Sequence, residues 1–538
     1  MRLHLILAFV TAFLLVLTFR SGHKPRFTFA VVEELAKQRA GTKYVPLPNA
    51  LLPQLKNLTP EQEYGIFWND TYRLWRKKGL PFQVDFYHVS KMFPYAPPVN
   101  AVDRKGAHPL VYSPDQFRFS GLKFDPPLPG KLGYAGFYLR YPINKPDSLD
   151  GFFSVLGANY FRVLAKDQVY GLTARGLALE TKVEGKKEEI PDFCEWWLQE
   201  PTPNATEITL DALLDGPSVA GAYEFKVTPG AVTSVEVHAV LYFRQSVEQL
   251  GLAPFSSMYL FGENAKDHFG DNVHPEIHDS DGLLMEKSTG EWVWRSLQQT
   301  KDLQIYSFPD ENPKGFGLVQ RDRDFQHYQD LNTKYNVRPS AWVKPQGNWG
   351  KGAFQLTQLP TNNTDTDNVV LFWHPDQPVK AGDRLDISYT IDFYMNDATR
   401  PPLAYSKQTL VNSPAPPPPL VPPQAAAAAV ASKPGLMGPP APVPGPPKDT
   451  VSVQFMVDFV GDGIENLPAN QPPDLDLTCL PPETYLREKK VEKNNYDNSW
   501  RVTFTIFPAK HNVPTDILCR LMRQGKPLTE TWTYTWHQ

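Results

Sequence analysis

Apolar and polar residues alternate along several long runs of this 538-residue chain. Val235, Val237, Ala239, Leu241 and Phe243 are interleaved with Glu236 and His238, and Leu385, Ile387, Tyr389, Ile391 and Phe393 repeat the pattern. So do Val453, Phe455, Val457 and Phe459, then Val502, Phe504 and Ile506, and finally Trp532, Tyr534 and Trp536. A period of two gives one buried and one solvated face, the pattern of antiparallel sheets. The 54 prolines and the 12% aromatic content disfavour a helical bundle and suit sheets joined by many loops. The expected class is therefore all-β: a large β-sandwich domain and a small immunoglobulin-like C-terminal β-sandwich of about 90 residues.

The boundary between them is written in composition. Residues 414–447 read PAPPPPLVPPQAAAAAVASKPGLMGPPAPVPGPP, with Lys433 as the sole charge. Such a stretch cannot build a core and reads as a semi-rigid, partly polyproline linker. The expected organisation is a signal peptide or N-terminal anchor over 1–22, the large domain over 23–412, the linker over 413–448 and the small domain over 449–538. Met1-Arg2 followed by the apolar run from Leu3 to Phe19 supports export, although no A-x-A cleavage pattern precedes Ser21. Two helices open the large domain. One covers Thr28 to Arg39, with Val32, Leu35 and Ala36 on one face. The other starts at the capping box Thr59-Pro60-Glu61-Gln62 and is expected to run to Lys78. Cys479 and Cys519 are either a disulfide or two buried thiols, and Cys194 is the third cysteine.

Several function classes are excluded. The net charge of −4 offers no basic stripe for nucleic acid. There is no phosphate-binding G-x-x-x-x-G-K-[ST], no dinucleotide fingerprint, no G-x-S-x-G and no H-E-x-x-H. What remains is a stretch from about Pro254 to Trp373, dense in acids, aromatics and glycines. His274-Pro-Glu276-Ile-His278-Asp279-Ser280-Asp281-Gly282 matches no ligand spacing, so neither metal nor cofactor is expected; as the seat of a catalytic carboxylate it is attractive. Arg321-Asp322-Arg323-Asp324 reads as a salt-bridge network whose outer members can reach sugar hydroxyls. Trp342 and Trp349 serve either the core or a sugar platform, and the glycines around Trp349 and Lys351 would let backbone approach a ligand. The loop Thr361-Asn-Asn-Thr364-Asp365-Thr-Asp367-Asn368, taken alone, reads as a surface turn before a strand.

Together these pieces resemble one family, the periplasmic glucan biosynthesis proteins G and D (OpgG/MdoG and OpgD). The resemblance rests on GFFSVLGANYFRVLAKDQVYGLTARGLALE from Gly151, PFSSMYLFGEN from Pro254, HDSDGL from His278 and GEWVWRSL from Gly290. It continues through DENPKGFGLVQRDRDF from Asp310, RPSAWVKPQGNWGKG from Arg338 and the terminal ETWTYTW. It implies a periplasmic protein that acts in making osmoregulated glucans with a β-1,2-linked glucose backbone. D-type members resemble inverting endo-β-1,2-glucanases, some relatives transfer the cut chain, and G-type members are weaker catalysts. By the same resemblance the general acid falls on Asp367, in the family's D-E-T-N-D-N loop, and the general base on Asp279. Arg321, Arg323, Lys351, Trp342 and Trp349 become candidate β-1,2-glucan contacts. The alternative is a non-catalytic glucan-binding scaffold beside a membrane glucan glucosyltransferase. Two departures stand out: Thr364 replaces the family's Glu three residues before the acid, and the linker is longer than the family's short connection.

Overall fold

The computed structural model describes residues 27–181, 183–396, 400–412, 452–508 and 513–537. The expected signal or anchor (1–22) and the Pro/Ala-rich linker (413–448) lie outside them. Two large sheets dominate, one of ten strands and one of fifteen. The alternation becomes burial along Val232–Phe243, whereas Thr531–Trp536 is buried on both faces. Along Val232–Phe243, residues 235, 237, 239 and 241 are buried, while Glu236 is exposed and His238 half-buried. This strand pairs antiparallel with Arg384–Tyr394, placing Val237 opposite Tyr389 and Val235 opposite Ile391.

Aromatic rings lock the two sheets face to face. Phe137 of the ten-stranded sheet meets Trp196 of the other edge-on at 5.2 Å, Phe161 meets Phe225 at 5.4 Å, and Phe354 meets Phe316 at 5.5 Å. Each fully buried ring contributes roughly 1.5–3 kcal/mol of transfer free energy, so such contacts dominate the sandwich.

The C-terminal sandwich is not separate from this frame. Its strands Asp474–Leu480, Thr515–Arg523 and Thr531–Trp536 extend the fifteen-stranded sheet through a parallel contact of Thr531–Thr533 with Val293–Arg295. Its second sheet has four strands, and one of these, Tyr405–Asn412, precedes the linker and pairs with Val453–Val460. Trp532 lies in the core between these sheets and donates its Nε1–H to the Thr409 hydroxyl at 2.8 Å. Cys194, Cys479 and Cys519 are buried free thiols.

The first helix, Phe29–Ala40, starts after Thr28 and buries Val32 and Ala36. The second differs from expectation. Its capping box at Thr59 forms, but the helix is Pro60–Tyr64 and stops at Gly65. The aromatic residues beyond Gly65 are claimed elsewhere: Trp68 packs on Phe86, Phe117 and Tyr134, which extended and 3₁₀ backbone permits and a helix to Lys78 would not. Among the described residues no helix is long and apolar enough to cross a membrane.

Candidate functional site

Strand Leu250–Ser257 lies inside the ten-stranded sheet, between Thr173–Arg175 and Val369–Pro375. Two loops hang from the point where it ends. Asn368 donates its N–H to the Ser257 carbonyl at 3.0 Å. The Asn368 side chain accepts from the Tyr259 N–H at 2.8 Å and donates to the carbonyls of Tyr259 and Leu359 at 2.9 and 3.0 Å. These bonds pin the base of the polar loop that carries Asp367. Asp279 donates its N–H to the next carbonyl, that of Met258, at 2.8 Å. Ser280 and Ser257 join hydroxyls at 2.9 Å, and the His278 ring stacks on Tyr259 at 5.3 Å. Successive carbonyls of an extended segment point to opposite sides, so the two acids flank one short segment.

Arginine fills the space they share. Arg338 is ion-paired to Asp279 through Nη1 and lies 4.1 Å over the Tyr335 ring. It also acts on Asp367, together with Arg162 and Arg175. Burial raises the Asp367 carboxyl above its ordinary value, and the three guanidinium groups oppose that rise. Burial, then Arg162, pushes Arg338 down to about 10, with Asp367 opposing. Arg162 is held by the Thr173 hydroxyl at 2.8 Å, and Arg175 by Glu188 at 3.0 Å. At position 171 a Cβ would stand 2.9 Å from Arg338 Cβ, so Gly171 is what lets the arginine pack this closely.

A cavity of about 370 Å³ opens where the main sandwich meets the C-terminal unit, lined by Glu263, Glu276, Asp281, Arg321, Asp322 and His327 among others. Neither Asp279 nor Asp367 lines it.

The family description "Periplasmic glucan biosynthesis protein, MdoG" matches residues 27–536. The chain belongs to this family. It is also 36% identical over 515 residues to a "Glucans biosynthesis protein G" of Sodalis glossinidius (strain morsitans), covering 95% of this chain and 93% of that protein. A solved polysaccharide lyase aligns with 75% of this chain and 44% of its own at 8% identity and a TM-score of 0.22. Membership of the MdoG family places the chain in periplasmic glucan biosynthesis.

Within this MdoG-family chain the other expected glucan contacts lie apart from the two acids or are occupied. Arg321 forms a two-pronged pair with Glu530 at 2.6 and 2.8 Å, donates to the Ser406 carbonyl and lies 3.5 Å over the Trp294 ring. It joins the two sandwiches from the wall of the cavity, with its guanidinium already paired. Arg323 spends its guanidinium on the carbonyls of Asn336, Arg338 and Met395, and so fixes the turn that presents Arg338. Trp342 is 2% exposed and stacked on Trp292 at 5.4 Å, and Trp349 is 8% exposed against Phe316 and Tyr389. Both belong to cores and neither offers a ring face to a sugar. Lys351 is exposed opposite Glu311, at the far end of Lys351–Gln358 from Gln358, which faces Val369. At about 3.3 Å per residue that end is roughly 23 Å from the loop of Asp367. Thr364 is exposed.

Arg338, Arg162 and Arg175 were not singled out from sequence. A signal existed in FRV and TAR, where an arginine interrupts an apolar run. Arg175 is 2% exposed, and a charge so placed requires a partner.

Proposed function

We propose that the protein cuts or transfers chains of a β-1,2-linked glucan in the periplasm, with inversion, using Asp367 as general acid and Asp279 as general base. The observation that carries this reading is the attachment of both acid-bearing loops to successive carbonyls, at Ser257 and Met258. Two inter-strand steps set the backbones of the two loops about 9.6 Å apart, a span from which side chains can reach the roughly 6.5–9.5 Å carboxyl separation that an inverting reaction needs. In the proposed reaction Asp367 gives its proton to the glycosidic oxygen as the C–O bond breaks. Asp279 takes a proton from the attacking water, or from an acceptor sugar hydroxyl in transfer. Burial shifts the Asp367 carboxyl upward, the direction a general acid requires. Arg338 must leave Asp279 when glucan enters, because the pair now occupies the base.

That same pair favours a second reading, a glucan-binding scaffold beside a membrane glucosyltransferase, in which Asp279 stays closed. Incubation of purified protein with linear β-1,2-glucan separates the two. Shorter or cyclised products support the enzyme; binding with no product at any protein concentration supports the scaffold.

A further inference from the structure

The interdomain cavity carries a donor set unrelated to the proposed acid and base. Glu276, Asp322 and His327 each place one donor atom within 4.8 Å of the others, and Glu276, His278 and Asp281 do the same behind them. Glu276 belongs to both groups. It is 5% exposed and lines the cavity, and among the described residues its one hydrogen bond comes from His278 Nε2 to Oε2 at 2.8 Å. Its second oxygen, Oε1, has no protein partner among those residues.

His278 is set for an orienting role. The Gln320 amide nitrogen donates to the Tyr328 hydroxyl and to the carbonyls of His278 and Tyr335, so the Gln320 oxygen faces His278 Nδ1 at 3.0 Å. The Nδ1–H is thereby committed, and Nε2 is turned towards Glu276 and Asp281. A histidine that grips one oxygen of a carboxylate and leaves the other free is the kind of outer contact that aims a metal ligand. Opposite, Asp322 Oδ2 meets His327 Nδ1, and Asp322 Oδ1 accepts the Asp324 N–H.

The charge balance also asks for a cation. Glu263, Glu276, Asp281 and Asp322 converge on the cavity. With Asp324 five carboxylates line it; Arg321 is committed to Glu530, Arg323 to backbone carbonyls and Lys407 to Asp497, which leaves His327 in the lining and His278 next to Glu276 against five acids.

We propose that Glu276, Asp322 and His327 bind one divalent first-row transition ion, Zn²⁺ or Mn²⁺, with His278 as the residue that orients Glu276. One imidazole and two carboxylates suit these ions. The ion takes the place of the proton between His327 Nδ1 and Asp322 Oδ2, and that proton leaves to solvent. Binding would tie the loop of residues 276–281 to the segment whose Arg321 grips Glu530 and whose Arg323 fixes the Arg338 turn.

The test is calorimetric titration of ZnCl₂ and MnCl₂ into the tag-free, EDTA-dialysed full chain. The expected result is about one equivalent bound, with proton release and a rise in Tm. Glu276→Gln and His327→Gln should each weaken binding at least about tenfold. His274→Ala, which removes another histidine paired to an aspartate, should leave it unchanged. The half-exposed His327 makes His327→Gln the variant that retains the fold if Glu276→Gln does not. Absence of saturable binding, or binding unaltered in His327→Gln, overturns the proposal.

Discussion

Arg338 is ion-paired to Asp279 and also acts on Asp367, so the carboxylates proposed as base and acid share one cation. Both partners of the pair are largely buried, with side-chain exposures of 14% and 6%. Removing one member of such a pair leaves an uncompensated buried charge, which costs about 3–5 kcal/mol. Arg338→Met is expected to destabilise the protein by about 3 kcal/mol in urea unfolding. Arg338→Met with Asp279→Asn should recover a large part of that loss, because the second change removes the stranded charge.

The pH dependence follows from Asp367. Its folded-state pKa is raised, so the folded protein favours the protonated form. That contribution to stability is present below the ordinary Asp value of 3.8 and is lost as pH rises through the higher folded value. Asp367→Asn should therefore stabilise the protein at pH 7 relative to wild type, with the gain vanishing towards pH 3. In glucan turnover, the fall in kcat/KM on the alkaline side should begin above the usual carboxylate range, since the acid must be protonated.

Arg321 and Glu530 separate an interdomain clamp from a sugar contact. Both are nearly fully buried, so Glu530→Ala is expected to cost about 3 kcal/mol. Differential scanning calorimetry should show the loss, with the Kd for β-1,2-glucan unchanged. A glucan Kd raised tenfold at full folding would return Arg321 to the binding surface.

Trp342 makes a parallel case. Stacked on Trp292 in the core that joins the sandwiches, it should lose about 3–5 kcal/mol on truncation to Ala. Chemical denaturation measures this, and KM for glucan should stay within about twofold of wild type.

These cases also show how far the sequence could be read. Alternation at residues 235–243 and 453–459 specified strands and buried faces, because a period of two is local information. The cap at Thr59 was legible for the same reason, whereas the helix end depended on Trp68 finding Phe86, Phe117 and Tyr134. The extension of the large sheet by Thr531–Trp536 hangs on a parallel contact with Val293, which no local pattern encodes. In the site, resemblance pointed to Asp279 and Asp367, but Trp342, Trp349 and Arg321 were drawn in by type and turned out to hold cores and sandwiches together. Arg338 stood in plain view at the head of RPSAW, and only the fold brings it to Asp279.

The central claim is tested most directly by the initial rate of product release from linear β-1,2-glucan by wild type, Asp279→Asn and Asp367→Asn. Wild type should release shorter or transferred chains, and each variant should fall by at least about a thousandfold with glucan binding retained. Wild-type rates in either folded variant would contradict the assignment of base and acid.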